Sequence, residues 1–140
     1  MIYHEQYGDL FELDKKYTFV QCTSADLKMG AGISLQFNKH FNVKRMLMEM
    51  YPNGYYGYGC IKYKNVLNLV TKMKYYEKPT ILSMTKALDE MKAIVIRESI
   101  RHIAMPMIGC GLDRLDWCDV SNIIKKIFND LDVVIIVMIK

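Results

Sequence analysis

The chain has 140 residues, 51% hydrophobic and 24% charged, with 3 prolines and 8 glycines. That composition excludes disorder, collagen-like repeats and low complexity, and a chain of this length buries a full core as one domain without staples. Its 19 Lys and Arg against 15 Asp and Glu give a net charge of +4, which suits an anionic ligand but lacks the dense basic stripe of a committed nucleic-acid binder.

In chain order, Ile2 to Tyr7 reads as a weak strand, and YTFVQCT at 17–23, β-branched and aromatic, as a strong one. A helix is predicted from Gly32 to Phe41, with Ile33, Phe37 and Phe41 on one side. A short extension follows from Val43 to Met50, closed by the turn at Pro52, Asn53 and Gly54. Gly59 to Tyr63 reads as a hairpin arm beside the apolar strand Val66 to Thr71. Pro79 and Thr80 open a helix striped by Met84, Leu88, Met91 and Val95, with Thr80 as its cap. His102 to Ile108 is the next strand. The last helix carries Val120, Ile123, Ile124, Ile127 and Phe128 at i, i+3, i+4, i+7 and i+8, which is one face. Asp116 is its predicted N-cap, and Asp119 faces its positive end. Val133 to Ile139 closes the chain as a strand. Continuous apolar runs predict strands covered on both faces, and their alternation with helices predicts a layered α/β domain spanning 1–140.

The four cysteines, Cys22, Cys60, Cys110 and Cys118, form no CxxC pair and no disulfide-like spacing. Reduced thiols in an intracellular, cytoplasmic or nuclear protein are expected, with no metal and no cofactor. The start, MIYHEQYGDLFEL, has no leader-like basic and apolar segments. The longest apolar run has seven residues, against about 20 for a membrane helix, so no membrane partner is expected.

Two Gly-rich segments fall between a strand and a helix: MGAGISLQF at Met29 to Phe37 and GCGLDRLDW at Gly109 to Trp117. Glycines there let backbone N–H groups approach a ligand, and a helix N-terminus adds a field suited to phosphate. Neither segment is a P-loop or a GxGxxG fingerprint.

GDLF at Gly8 to Phe11, MGAGISLQF, Thr71–Lys72 and IAMPMIGCGLDRLDW at Ile103 to Trp117, in that order, resemble the macro domain family. The match is strongest to the branch of the terminal ADP-ribose protein glycohydrolase. The chain is also similar to the macro domain antitoxins that remove ADP-ribose from DNA. The resemblance implies a three-layer α/β/α sandwich around a mixed β-sheet that binds ADP-ribose. It implies that Asp9 accepts from the adenine amino group with Leu10 beside it, and that the chain end at Lys140 lies by the adenine. It places Ser24 and the Gly30–Ala31–Gly32 turn, continued by Ile33, along the distal ribose and diphosphate. Met107, Ile108, Gly109, Cys110, Gly111 and Leu112 form the second loop. Lys72 becomes the catalytic lysine and Asp113 its acid/base partner. Met107 is a departure, because that branch often carries Arg there.

Each residue also has a plainer reading. Asp9 suits a turn cap, Lys72 lies among the solvated lysines 62, 64, 74 and 78, and Asp113 beside Arg114 suits a surface ion pair. Cys110 has no His near it in sequence and reads as a packing residue rather than a nucleophile; Trp117 reads as core. Two functions follow from the resemblance. One is a hydrolase releasing terminal ADP-ribose from protein Glu/Asp, from nucleic acid, or from a 1″-phosphate or O-acetyl group. The other is a reader that binds ADP-ribose and cleaves nothing. The presence of both Lys72 and Asp113 favours the hydrolase, acting as a monomer.

Overall fold

A computed structural model describes all residues, 1–140. Its elements are β1 (Ile2–Tyr7), a 3-10 turn (Leu10–Glu12), β2 (Thr18–Ser24), α1 (Ile33–Phe41), α2 (Val43–Met50), β3 (Gly59–Tyr63), β4 (Val66–Lys72), α3 (Ile81–Arg97), β5 (His102–Met105), α4 (Trp117–Phe128) and β6 (Val134–Ile139). One six-stranded sheet runs β1-β6-β5-β2-β4-β3. Every neighbouring pair is parallel except β3 with β4, so the sheet is mixed.

The period of two along each strand builds the two cores. Val20, Leu67, Leu69, Ile103, Met105, Ile135 and Val137 face α3 and α4, joining Met84, Leu88, Met91, Ile124 and Phe128. Phe19, Val66, Val70, Ala104, Ile136 and Met138 face the other way, onto Phe37 of α1, Val43 and Leu47 of α2, and Leu10. Helices on both faces of one sheet make the three-layer sandwich. Two polar residues share the α1/α2 face, Gln21 and Asn68, both fully buried. Asn68 accepts from the Gln21 amide at 2.8 Å and donates to the Ile61 carbonyl at 3.0 Å, tying β2, β3 and β4 together.

Local chemistry sets the element ends. Thr80 and Ser83 form a reciprocal capping box at α3, and the Asp116 side chain accepts from Asp119 N–H at α4. β5 stops at Met105, three residues short of the expectation, because Pro106 has no N–H to give the ladder. β2 runs one residue later than the sequence suggests, to Ser24. No helix is long and apolar enough to cross a membrane.

Phe128 is fully buried against the α3/α4 face. Phe128→Ala should cost about 3–5 kcal/mol, and Thr80→Ala about 1 kcal/mol, in urea unfolding. Equal costs would mean that the cap, not the core, carries this layer.

Candidate active site

Because β1, β6, β5, β2 and β4 are parallel, their carboxyl ends share one edge of the sheet. A cavity of about 970 Å³ opens there, bounded by the segment after β2, the loop after β5 and the segment after β4. That volume is at the upper end of small-molecule sites.

The segment after β2 alternates inward and outward. Ala25, Leu27 and Met29 are buried, at 3%, 1% and 5% exposure, and anchor the loop into the core. Leu27 and Met29 hold left-handed backbone (φ 57° and 42°), a strain of about 1–3 kcal/mol each that this burial offsets. Gly30, Ala31, Gly32, Ile33 and Ser34 then line the cavity. Gly32 is the N-cap of α1, with φ +61° and no side-chain cap, so the first N–H groups of α1 have no capping partner. Ser34 donates to the Cys22 carbonyl at 3.4 Å, pinning the helix start to the end of β2.

The second loop carries Met107, Ile108, Gly109, Gly111, Leu112 and Asp113 on the opposite wall. Its internal bonds run from Cys110 N–H to Met107 O, Arg114 N–H to Gly111 O, and Leu115 N–H to Gly109 O. The N–H groups of Gly111 and Leu112 take part in none of them. The two glycine loops meet where Leu112 packs over Gly32: a Cβ at Gly32 would stand 3.3 Å from Leu112 Cδ1. Lys78 closes the third side by donating to the Leu112 carbonyl at 2.6 Å.

Lys72, the last residue of β4, reaches the crevice. Its Nζ lies 2.7 Å from Asp113 Oδ1, and both side chains are mostly covered, at 14% and 16% exposure. Cys22 lies beside the pair, and burial together with the Asp113 carboxylate pushes its thiol up, so it stays neutral. Cys110 does not line the cavity; its Sγ contacts the Ile108 carbonyl at 3.2 Å. Burial, then Asp116, pushes the Cys110 thiol up to about 11. Neither thiol is the activated thiolate a cysteine nucleophile requires. Three lysines, Lys28, Lys72 and Lys78, line the cavity against one carboxylate, Asp113, leaving a positive surplus for an anion.

Ser24, Gly30 to Ile33, Met107 to Gly109, Gly111, Leu112, Lys72 and Asp113 therefore meet in one crevice. Asp9, Leu10 and Lys140 lie outside its lining. Asp9 accepts from Phe11 N–H at 3.0 Å and caps the 3-10 turn, while Leu10 is buried in the core. Gly8 N–H donates to the Ile139 carbonyl at 3.0 Å, so the Asp9 turn and Lys140 sit side by side at the same edge of the sheet. The sequence reading missed Cys22, Thr23, Lys28, Met29, Ser34, Tyr75, Lys78 and Pro106 in the wall. Six of these extend or flank predicted segments; Tyr75 and Lys78 come from the loop after β4, which carries no motif.

No protein-family model matches the chain. It is 37% identical over 127 residues to the ADP-ribose glycohydrolase OARD1 of Bos taurus, covering 90% of this chain and 84% of that one. It is 36% identical over 131 residues to the Homo sapiens protein of the same name, covering 93% and 86%. The chain belongs to the macro domain family, in its terminal ADP-ribose glycohydrolase branch. The solved macrodomain of Thermus aquaticus DarG superposes on it with a TM-score of 0.87 at 20% identity, over 99% of this chain and 98% of that one. This macro domain keeps the family's α/β/α architecture.

The two loop glycines separate fold from binding. At Gly109 (φ +74°) a Cβ would stand 2.6 Å from Met84 Cε, whereas at Gly111 it would meet nothing within 4 Å. Gly109→Val should lower the melting temperature by several degrees; Gly111→Val should melt like the parent, leaving its valine in the open crevice. A Gly111→Val protein as destabilised as Gly109→Val would contradict this loop geometry. Cys118 is exposed, so iodoacetamide at pH 8 should label it more than about tenfold faster than Cys110, read by peptide mass spectrometry.

Proposed function

We propose that the crevice binds ADP-ribose and that the protein hydrolyses the bond joining the anomeric carbon of a terminal ADP-ribose to its acceptor. The observation that carries this is the Lys72–Asp113 contact of 2.7 Å, set between two walls of unengaged backbone N–H groups. The likeness to glycohydrolases over most of both chains supports the reaction class. The diphosphate is held by N–H groups of the Gly30–Ser34 and Gly111–Leu112 segments, with Lys28 and Lys78 supplying charge. The adenine extends toward Asp9 and Lys140. Asp9 would spend its remaining acceptor capacity on the adenine amino group, since one oxygen already takes the Phe11 N–H.

A lysine is protonated at neutral pH and must lose a proton before it attacks. The hydrogen bond to Asp113 gives that proton a destination. Transfer leaves a neutral amine and a neutral acid. The amine bonds to the anomeric carbon, the bond from that carbon to the acceptor oxygen or nitrogen breaks, and the Asp113 proton goes to the leaving atom. Asp113, now a carboxylate, takes a proton from water. The hydroxide adds to the same carbon, the carbon–nitrogen bond breaks, and Lys72 recovers the proton. The balance needs only water. The acceptor is a carboxylate, a nucleobase, or a phosphate or acetyl group. A reader with the same cavity would need neither member of the pair, so the pair favours the enzyme.

The test is release of ADP-ribose from a peptide ADP-ribosylated on glutamate, from ADP-ribosylated DNA and from ADP-ribose 1″-phosphate. Lys72→Ala should abolish turnover while ADP-ribose affinity shifts by less than about tenfold, 1.4 kcal/mol. With solvent taking the Lys72 proton in its place, Asp113→Ala should slow both steps but resolution by water more than attack, so that some enzyme accumulates carrying the sugar on Lys72, visible by intact-mass spectrometry. Parent protein inactive on all three substrates would leave the reader; an adduct on Cys110 would refute the lysine.

A further inference from the structure

Asp26 is not part of the cavity wall, yet its carboxylate gathers three donors. The Ser24 hydroxyl and the Lys28 N–H (3.4 Å) donate to Oδ1, and the Tyr75 N–H donates to Oδ2 at 3.0 Å. Burial opposes its charge, but the Ser24 hydroxyl, the two N–H groups and the Lys28 ammonium outweigh that and hold the carboxyl below its ordinary range. An ionised carboxylate can only accept, so the single Ser24 hydroxyl proton is committed to Asp26. Ser24 lines the cavity, and what its oxygen has left to offer there is lone pairs.

We propose that Asp26 is a positioning residue that fixes the Ser24 hydroxyl as an acceptor, so that Ser24 selects a sugar hydroxyl rather than a phosphate oxygen. Ser24 is the register partner of Lys72 across the β2–β4 pair. If Lys72 meets the anomeric carbon of the distal ribose, as the reading above has it and on which this inference rests, that sugar's hydroxyls are the donors beside Ser24. An ionised phosphate has no proton to give, and two facing acceptors repel. The Asp26 arrangement thus keeps the diphosphate out of the position next to the amine and leaves it to the backbone N–H walls. Asp26 also has an evident structural role. Its own N–H donates to Met73 O and the adjacent Ala25 N–H to Lys72 O, stapling the loops after β2 and β4. The test must separate the two roles.

Asp26→Asn does so. Its amide oxygen can keep the Tyr75 N–H while its NH₂ group donates to Ser24, which turns the Ser24 proton toward the cavity with the staple intact. Calorimetry with ADP-ribose, and with ADP, which lacks the distal ribose, is run on the parent, Asp26→Asn, Ser24→Ala and the double variant. ADP-ribose affinity should fall by at least about tenfold in both single variants, ADP affinity should change by less than about threefold, and the double variant should bind no more weakly than Ser24→Ala. Unchanged ADP-ribose affinity in Asp26→Asn overturns the proposal. So does an equal loss for ADP, which would leave Asp26 a staple alone. Additive losses in the double variant also overturn it, and they decide the matter if ADP binds too weakly to read. Should Asp26→Asn not fold, Ser24→Ala binding ADP-ribose like the parent overturns it. A parent that binds no ADP-ribose fails the functional reading first and removes this inference with it.

Discussion

Parallel strands release the chain at one edge of the sheet, and five of the six strands here do so together. Each exit must turn away from a ladder that has just ended, which leaves backbone N–H groups without a strand partner. After β2 and β5 the turns are glycine-rich and do not satisfy all those groups internally. The site is therefore a by-product of topology. Two loops with donors to spare face each other, and an anion is the natural partner for them.

The rim is held by contacts that cross from one loop to the next. Leu112 packs over Gly32, Lys78 binds the Leu112 carbonyl, and Asp26 links Ser24 to Tyr75. Each joins segments far apart in the chain, so the crevice is shaped before any ligand arrives, which lowers the ordering cost of binding. The Lys72–Asp113 pair sits in the middle of this frame. Unlike the lysine–carboxylate pairs at Glu98 and Asp130, this one lines the cavity.

Much of the fold is legible in the sequence because apolar runs at 66–71 and 133–139 and the i, i+3, i+4 stripe of α4 leave little choice of element. Thr80 and Asp116 act as the caps their residue types suggest. The end of β5 is misread because an apolar run continues through Pro106, and hydrophobicity says nothing about a missing N–H. The site is legible only in its glycine loops. Lys72 and Asp113 are 41 residues apart, and periodicity cannot join them; the resemblance to macro domains did. Asp26 and Tyr75, 49 residues apart, carry no motif, so their contact needed the folded chain. Asp9 does what aspartates in turns commonly do, accepting from the N–H two residues on.

On the proposed function, ADP-ribose lies between the two glycine loops, with its diphosphate on their backbone N–H groups. Amide chemical shifts followed by ¹H–¹⁵N NMR during titration with ADP-ribose test it most directly. The largest shifts should fall at Gly30 to Ser34 and at Gly111 to Asp113. Shifts confined to the α1/α2 surface, with both loops unmoved, would contradict it.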